Sequence, residues 1–311
     1  MQEANVLTAS GTGYLHPDYA ASLSEFGTPR HLSCADGWVL ERPISGTSYR
    51  DAMGCYPLFD CADWSKLPDD LSDPEHDWVS LTIVSAPFGP DGPDQLRQAF
   101  DRVSFFKDHF VADVMKPIES FVKRSHQKSV RRAFRDVTVR VCPTPSDRLD
   151  DWTTLFGHLV ERHNITGLRA FSREAFERQL SIPGMVMFES RVGDEVVGLD
   201  LWYVQGQVAY GHLVAFNELG YDTRASYASK WFMLNHFAEH DTVRWVDLGG
   251  GAGGNDDSDG LTKFKKGWST GTRPVYLCGK TFRPDVYDTL VHDRGIGETD
   301  YFPAYREGEL L

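Results

Sequence analysis

The segment that decides the fold runs from residue 185 to residue 216 and has the sequence MVMFESRVGDEVVGLDLWYVQGQVAYGHLVAF. It contains three runs rich in β-branched, aromatic and other apolar residues, separated by Gly193-Asp194 and by Gly206. Glycine next to a small polar residue is typical of the tight turns in β-hairpins. The segment therefore predicts an antiparallel meander of three strands.

The flanking segments extend this meander into a mixed pattern of helices and strands. Amphipathic periodicity predicts helices at residues 147–164 and 172–180 before the meander, and a helix at residues 223–240 after it. Strands are predicted at residues 243–248 and 274–282. A helix that joins two strands is typical of a parallel crossover. We therefore expect an α/β (α+β) fold with a mixed sheet.

The first half of the chain has a looser version of the same pattern. Apolar runs predict strands at residues 78–88, 109–114 and 137–141, and helical periodicity predicts helices at residues 92–100 and 116–135. Two related halves are therefore expected.

Two prolines mark the expected boundary between the halves. Pro143 and Pro145 follow a predicted strand, and the pattern becomes more regular after them. We expect an N-terminal half at residues 1–142, a C-terminal half at residues 143–283, and a tail at residues 284–311 that packs back on the N-terminal half.

Composition limits the class of protein. The chain has 311 residues, 41% of them hydrophobic, and a net charge of −13. This composition is typical of a globular protein. The negative charge opposes non-specific nucleic-acid binding, and we expect no DNA partner.

Neither a membrane span nor a secretory leader is visible in the sequence. The apolar runs are broken by charge well below the length of about 20 residues that a spanning helix needs. The first ten residues, MQEANVLTAS, lack the basic and apolar regions of a signal peptide. Five cysteines without a CxxC pair indicate reduced, mostly buried thiols. We expect a cytoplasmic protein.

One basic segment interrupts this acidic chain. Residues 121–135 contain six Lys or Arg residues and no acid. Four of these cations fall on one face of the predicted helix and are candidates for phosphate binding: Arg124, Lys128, Arg131 and Arg135. A solvated helix face is the alternative. Val130, Phe134 and Val137 are expected to face the core.

A glycine-rich stretch follows the strand at residues 243–248. Residues 246–254, VDLGGGAGG, match the D-x-G-x-G-x-G pattern of S-adenosylmethionine-dependent methyltransferases. However, the acidic residues 255–259 replace the helix that this pattern should open, and residues 255–311 are too few to complete a Rossmann-like domain. A methyltransferase is therefore disfavoured.

The acidic residues after the glycines imitate the start of a calcium loop. Residues 255–260, NDDSDG, place oxygen ligands at loop positions 1, 3 and 5 and a glycine at position 6. The twelfth position should be a bidentate Glu, but it is Lys266, whose cation would repel a metal. We expect no metal site.

The motif after the glycines carries a family resemblance. Residues 260–268, GLTKFKKGW, follow a strand that ends in Asp-Leu-Gly-Gly. This G-L-x-x-F-K-x-G-[FW] arrangement resembles the C-terminal signature of FemABX-type transferases and their GNAT relatives. The resemblance is clearest over residues 146–283, weaker over residues 76–142, and does not extend to residues 1–75. It implies a GNAT-like acyltransferase fold that forms an amide by transferring an aminoacyl group from aminoacyl-tRNA to an amine.

The resemblance also implies roles for individual residues. Phe264 and Lys265 would engage the aminoacyl-adenosine end of the donor. An ammonium beside the carbonyl oxygen stabilises the negative charge that develops when an amine attacks an ester, so Lys265 suits this role. Lys263 is interpreted as a solvated residue, Lys266 as a further contact to the donor, and Trp268 as a residue of the substrate cleft.

The identity of the donor stays open. Acetyl-CoA enzymes of this fold bind pyrophosphate at an [QR]-x-x-G-x-[GA] loop before a helix. The corresponding residues 217–226 lack that glycine spacing, although Arg224 and the helix N-terminus remain candidates for phosphate binding. An acyl-CoA-dependent N-acyltransferase is therefore the alternative, and a GNAT-like binding module without catalysis is a second. No cofactor other than the donor is expected.

The candidate residues for proton transfer lie in the predicted meander. Strand alternation predicts that the even-numbered positions from Val208 to Phe216, including Tyr210 and His212, share one face of their strand. His212 suits a proton relay near neutral pH, and a hydrogen-bonded core histidine is the alternative. On the preceding strand, Asp200 is the candidate for orienting an amine. Trp202, on the same face as Asp200, joins Tyr210 as a candidate for lining the cleft.

Overall fold

The computed structural model describes residues 11–73, 76–240, 242–251 and 260–308. Residues 252–259, which carry the end of the glycine-rich stretch and most of the calcium-like sequence, lie outside these described residues.

The chain forms two compact units. Among the described residues, unit 1 consists of residues 11–13, 107–165, 170–240, 242–251 and 260–273. Unit 2 consists of residues 14–73, 76–106, 166–169 and 274–308.

The described residues form eleven strands: β1 (Thr28–Leu32), β2 (Gly37–Pro43), β3 (Arg50–Gly54), β4 (Trp78–Val84), β5 (Arg102–Asp113), β6 (Val137–Val141), β7 (Met185–Val192), β8 (Glu195–Gln205), β9 (Val208–Phe216), β10 (Trp245–Asp247) and β11 (Gly271–Thr281).

The described residues also form eleven α-helices: α1 (Pro17–Ser22), α2 (Leu67–Leu71), α3 (Pro93–Leu96), α4 (Ile118–Phe121), α5 (Arg124–Ala133), α6 (Leu149–His163), α7 (Arg173–Gln179), α8 (Glu218–Asp222), α9 (Ala225–Ala238), α10 (Gly260–Lys266) and α11 (Pro284–Asp293). Short 3₁₀ turns occur at Gly13–Leu15, Pro145–Arg148, Gly167–Arg169 and Ala304–Arg306.

The sheet of unit 1 contains the predicted meander. Its strands lie in the order β5-β10-β9-β8-β7-β6. β9 and β10 pair in parallel, and the other neighbours pair in antiparallel fashion. The parallel pair is joined by α8 and α9, as the crossover pattern predicts. The mixed α/β fold is therefore confirmed.

A bulge in β9 changes the direction of its side chains. The register with β8 passes from Leu201 opposite Leu213 to Trp202 opposite Gly211, so His212 is an extra residue in β9. An extra residue reverses the alternation of faces beyond it. Ala209 and Phe216 consequently both pack in clusters with residues of α9. The expectation that Val208 to Phe216 share one face at even positions is wrong.

The basic segment forms two helices where the sequence predicted one. α4 ends at Phe121 and α5 begins at Arg124. Val130 and Val137 are buried, as expected, but Phe134 is 42% exposed. Phe134 caps the C-terminus of α5 and so lies outside the helical repeat that points Val130 inward. The expectation that Phe134 faces the core is wrong.

The compact units divide the chain elsewhere than at Pro143–Pro145. Residues 107–142 pack within unit 1, because β5 pairs with β10, β6 pairs with β7, and α5 packs on α9. The relatedness of two halves stays a prediction.

Unit 2 has its own sheet and core. β1, β2 and β3 form an antiparallel meander, β3 and β4 pair in parallel, and β11 adds to β4 in antiparallel fashion. In α11, Val286 and Leu290 are buried with Ile44, Val79 and Tyr305. The tail of the chain thus contributes to the core of unit 2.

The structure bears on the expectations about the cysteines and about membrane-spanning helices. All five cysteines are unpaired, and four of them are buried. In the part of the chain that the structure describes, no helix has the length and apolar character to cross a membrane.

Candidate functional site

A buried histidine and a buried aspartate meet in unit 1 beside the glycine-rich turn. β10 ends at Asp247, which lies opposite Val111 of β5. This antiparallel register places His109 near the end of β10, and its Nδ1 lies 2.9 Å and 3.1 Å from the two carboxylate oxygens of Asp247. Both side chains are buried.

Sequence reasoning missed His109. The residue begins a predicted strand and has no acid at a spacing that suggests a pair. Its partner is 138 residues further along the chain. The strand pairing between β5 and β10 is the signal that brings the two together.

Asp247 also shapes the turn that follows it. Its Oδ1 accepts a hydrogen bond of 2.8 Å from the backbone N–H of Gly249. Gly249 has a φ of +73°, in the left-handed region that favours glycine. A side chain at Gly249 would also lie 3.1 Å from the Nζ of Lys265. The backbone of the turn therefore favours glycine at this position, and Lys265 lies close to it.

Lys265 binds the next residue of the same turn. Its Nζ donates a hydrogen bond of 2.7 Å to the carbonyl oxygen of Gly250, and its side chain is partly buried. The stem of Lys107 from β5 packs against Gly250 as well. Gly249 and Gly250 are thus surrounded by the side chains of Lys107 and Lys265 and by the His109–Asp247 pair.

Phe264 lies in an aromatic cluster at the base of α10. Its ring centroid lies 5.2 Å from that of Tyr227, 5.6 Å from that of His126 and 5.9 Å from that of Trp268. Burial, followed by the charge of Lys123, lowers the pKa of His126 below its usual value, so its imidazole stays neutral. The cluster anchors Phe264 and, through the backbone, the adjacent Lys265.

Trp268 belongs to the core of unit 1. It is 0% exposed and stacks at a tilt on His126, with 5.0 Å between their centroids. The expectation that Trp268 lines a substrate cleft is therefore wrong, because no face of its indole reaches solvent.

The basic helix is attached directly to the segment that carries Phe264 and Lys265. The backbone N–H of Lys123, which precedes α5, donates to the carbonyl oxygen of Gly267 over 2.9 Å. His126 occupies the space that a side chain at Gly267 would need. α5 and the end of α10 therefore form one packed assembly.

The cations of this assembly face solvent. Six of them are exposed and form no ion pair or side-chain hydrogen bond with any described residue: Lys123, Arg124, Lys128, Arg131, Arg132 and Arg135. Arg124, Lys128 and Arg131 of the predicted face therefore lie exposed on α5, whereas Arg135 lies beyond the end of this helix. Phosphate binding by these residues stays a prediction. Lys263 and Lys266 of α10 are exposed as well.

His212 is a core residue. It is buried at the bulge in β9, and its Nε2 lies 3.1 Å from Oε1 of Gln179. Its ring contacts Tyr203 and Phe171. Burial lowers the pKa of His212 to about 3. This side chain is enclosed and holds no proton near neutral pH, so the structure corrects its assignment as a proton relay.

Asp200 is held by the chain's own donors. It accepts hydrogen bonds from Lys230 Nζ at 2.8 Å and 3.0 Å, from Ser229 Oγ at 2.9 Å and from Trp202 Nε1 at 2.8 Å. Asp200 does bind an amine, but that amine is Lys230 of α9. The expectation that Asp200 orients a substrate is corrected, since both of its oxygens are occupied.

Trp202 and Tyr210 are buried side chains as well. Trp202 is 0% and Tyr210 3% exposed. The Nζ of Lys230 lies 4.6 Å above the Trp202 ring. Neither residue lines an open cleft, contrary to the sequence-based expectation.

The segment between β9 and α9 differs from an open phosphate-binding loop. The side chain of Asn217 caps α8 by accepting from the N–H of Gly220 over 2.9 Å. Three more N–H groups, those of Tyr221, Thr223 and Arg224, donate to carbonyl oxygens of residues 217–221. These groups cannot also bind a pyrophosphate. Arg224 itself is exposed at the N-terminus of α9.

The described residues show no set of side chains arranged as metal ligands. Within residues 11–73, 76–240, 242–251 and 260–308, no group of three His, Cys, Asp or Glu side chains is arranged to hold a metal ion.

Comparison with known proteins indicates the class of enzyme. Residues 120–266 match the family model described as an acetyltransferase (GNAT) domain. This range covers α5 to α10 and β6 to β10, which include the meander, the crossover and the Phe264–Lys265 motif. The chain therefore carries a GNAT domain and is an acyltransferase of the GNAT fold. No curated protein matches the chain.

Solved structures extend the likeness over both units. FemX is 13% identical, with coverage of 91% of this chain and 96% of FemX and a TM-score of 0.64. The C-terminal domain of a protein described as a lysylphosphatidylglycerol synthetase from Agrobacterium fabrum is 15% identical, with coverage of 89% and 91% and a TM-score of 0.61. L-PGS from Bacillus licheniformis is 11% identical, with coverage of 93% and 99% and a TM-score of 0.57. At these identities the likeness shows the fold.

Proposed function

We propose that this acyltransferase moves an aminoacyl group from the ester of an aminoacyl-tRNA to the amine of a small-molecule or peptide acceptor. The observation that carries the proposal is the attachment of the exposed basic helix α5 to the segment bearing Phe264 and Lys265.

The charge of α5 supports a polyanionic donor. In a chain with a net charge of −13, α5 and its two flanking positions Lys123 and Arg135 present six exposed cations that form no ion pair with the described residues. Phosphate groups of an RNA end would displace counterions from this face and form charge-assisted hydrogen bonds with its arginines. The ten residues of α5 extend for about 15 Å, which suits a run of successive phosphates.

The position of Lys265 supports acyl transfer at the end of such a donor. When an amine nitrogen attacks the ester carbonyl carbon, the carbonyl oxygen becomes negative. An ammonium at a fixed position stabilises that oxygen more in the transition state than in the ground state. The C–N bond then forms, the C–O bond to the ribose breaks, and the ribose hydroxyl leaves. Lys265 would supply the ammonium, held in place by Gly250 and the aromatic cluster.

The segment before α9 disfavours the acyl-CoA alternative. Four of its N–H groups, those of Gly220, Tyr221, Thr223 and Arg224, are occupied by Asn217 and by neighbouring carbonyl oxygens. A pyrophosphate would need such groups to point toward it. In addition, one structural neighbour is described as a lysylphosphatidylglycerol synthetase, and the synthesis of that lipid is an aminoacyl transfer. Charged tRNA is a cytoplasmic donor, and we place the reaction in the cytoplasm.

A direct assay decides between the donors. The purified protein is incubated with tRNA charged with radiolabelled amino acids and, separately, with acyl-CoA, in the presence of a panel of amines. We expect label to move to an amine from charged tRNA, and we expect prior RNase treatment to abolish this transfer. Release of CoA with amine acylation, and none from charged tRNA, would replace the proposal with the acyl-CoA alternative.

A further inference from the structure

The His109–Asp247 pair has no part in the chemistry assigned to Lys265 and α5. A buried carboxylate bound to an imidazole is costly unless the two groups satisfy each other, and here they do so at the glycine turn that also receives Lys265. The pair therefore requires an explanation of its own.

We propose that His109 is the general base that takes the proton of the attacking amine and that Asp247 positions its ring. This assignment rests on the proposed aminoacyl transfer, because it supplies the proton acceptor that this reaction needs.

The hydrogen bond to Asp247 determines which ring nitrogen of His109 is available. A carboxylate only accepts hydrogen bonds, so the Nδ1 of His109, 2.9 Å from Asp247, is the ring nitrogen that donates. The Nε2 then has a free lone pair, as a base requires. Nε2 has no hydrogen bond to any described residue and is not among the enclosed polar atoms that lack a partner. It therefore keeps some accessible surface in a side chain that is otherwise buried.

The base and the ammonium are tied to consecutive residues. Asp247, which holds His109, accepts from the N–H of Gly249. Lys265 donates to the carbonyl oxygen of Gly250. The carbonyl oxygen of Gly249 accepts from Phe110, the residue after His109. One short turn thus fixes a proton acceptor and an oxyanion-stabilising group in the same neighbourhood, as nucleophilic attack on an ester requires.

Three other buried titratable side chains of unit 1 are held by contacts of their own. Asp200 is held by Lys230, and His212 is enclosed beside Gln179. His126 is packed among the aromatic rings around Phe264. His109 differs from them because a carboxylate orients one ring nitrogen and the other ring nitrogen has no hydrogen bond to a described residue.

Every proton that moves in the proposed transfer is accounted for. The amine nitrogen forms a bond to the ester carbonyl carbon and loses a proton to Nε2 of His109, while Asp247 stabilises the resulting imidazolium. When the C–O bond breaks, the same proton passes from Nε2 to the leaving ribose oxygen. No oxidant, metal or further reactant takes part, and His109 ends the cycle neutral.

The test compares His109→Gln, His109→Ala and Asp247→Asn with wild type. Glutamine keeps a donor for Asp247 but is no base, and asparagine preserves the acceptor for Gly249 while its amide favours the opposite tautomer of His109. His158→Ala, at an exposed histidine of α6, is the matched control. For each variant, kcat for transfer and the Kd for tRNA are measured at a temperature at which thermal unfolding shows the variant to be folded.

We expect kcat to fall by about 10²–10⁴ in His109→Gln and His109→Ala, with the Kd for tRNA unchanged. Added imidazole should restore part of the activity of His109→Ala and should leave His158→Ala, which needs no rescue, unchanged. Full kcat in His109→Gln, or the absence of imidazole rescue in folded His109→Ala, overturns the assignment of the base. Failure of wild type to use charged tRNA would instead overturn the proposed function, so the two failures are distinguishable.

Discussion

The Nζ of Lys265 lies 2.7 Å from the carbonyl oxygen of Gly250 and donates a hydrogen bond to it. The residue that accepts this bond is backbone of the turn that Asp247 stabilises. The ammonium therefore has a fixed position next to the C-terminal end of β10 and to residues 107–110 of β5, where the reacting groups of our proposals converge.

This position predicts a large effect of removing the ammonium. We expect Lys265→Met to lower kcat by about 10²–10³, the range found when one oxyanion-stabilising donor is removed, while the Kd for the donor changes little. Lys263→Met, at an exposed lysine of the same helix, should retain wild-type kcat. Steady-state transfer assays together with donor-binding measurements check this prediction. Equal decreases of kcat in the two variants would show that only the general charge of α10 matters.

The basic helix predicts salt-dependent donor binding. We expect Lys128→Gln and Arg131→Gln to weaken tRNA binding at low salt and to reduce the slope of log K against log salt by about 0.7 for each phosphate that is no longer neutralised. Arg178→Gln removes an exposed positive charge from α7 and is the matched control. Binding titrations at several salt concentrations give the slopes. An unchanged slope in the α5 variants would mean that this helix is merely a solvated face.

His212 predicts a loss of stability in acid. Its pKa is about 3 in the folded protein and near 6.5 in the unfolded chain. The unfolded state therefore binds the proton first. The stability contributed by neutral His212 is complete above pH 6.5 and is lost as the pH falls toward 3. The expected slope is about 1.4 kcal/mol per pH unit from this residue.

Urea unfolding between about pH 7 and about pH 5 measures this dependence. His212→Gln keeps a polar partner for Gln179 but does not titrate, so the free energy of unfolding should depend less on pH than in wild type. His126 and His236 also have lowered pKa values and add to the wild-type slope in the same direction. Identical slopes in wild type and His212→Gln would contradict the buried, neutral state of His212.

The Asp200–Lys230 pair predicts an effect on stability without one on chemistry. Asp200→Asn leaves the buried ammonium of Lys230 without its counter-charge and should cost about 3–5 kcal/mol of unfolding free energy. The double variant Asp200→Asn, Lys230→Met removes both charges and should recover part of that stability. Folded Asp200→Asn should keep wild-type kcat. A selective decrease of kcat with normal stability would return Asp200 to a role in the reaction.

Local patterns were sufficient for much of the fold. The turns at Gly193-Asp194 and Gly206 predicted the meander, and the helix before residues 243–248 predicted the parallel crossover. Each of these signals lies within a few residues of the feature that it specifies. The bulge at His212 escaped prediction because one extra residue in a strand leaves the apolar pattern almost unchanged, although it reverses every side chain beyond it.

The sequence alone determined the meander, the crossover and the basic face of α5, because hydrogen-bonded turns and periodic faces are properties of neighbouring residues. Only the tertiary structure decided which polar groups satisfy one another: His109 with Asp247, Lys230 with Asp200, and His212 with Gln179. A carboxylate in a sequence has no partner until strands and helices place a donor within about 3 Å of it, and burial then makes that pairing obligatory.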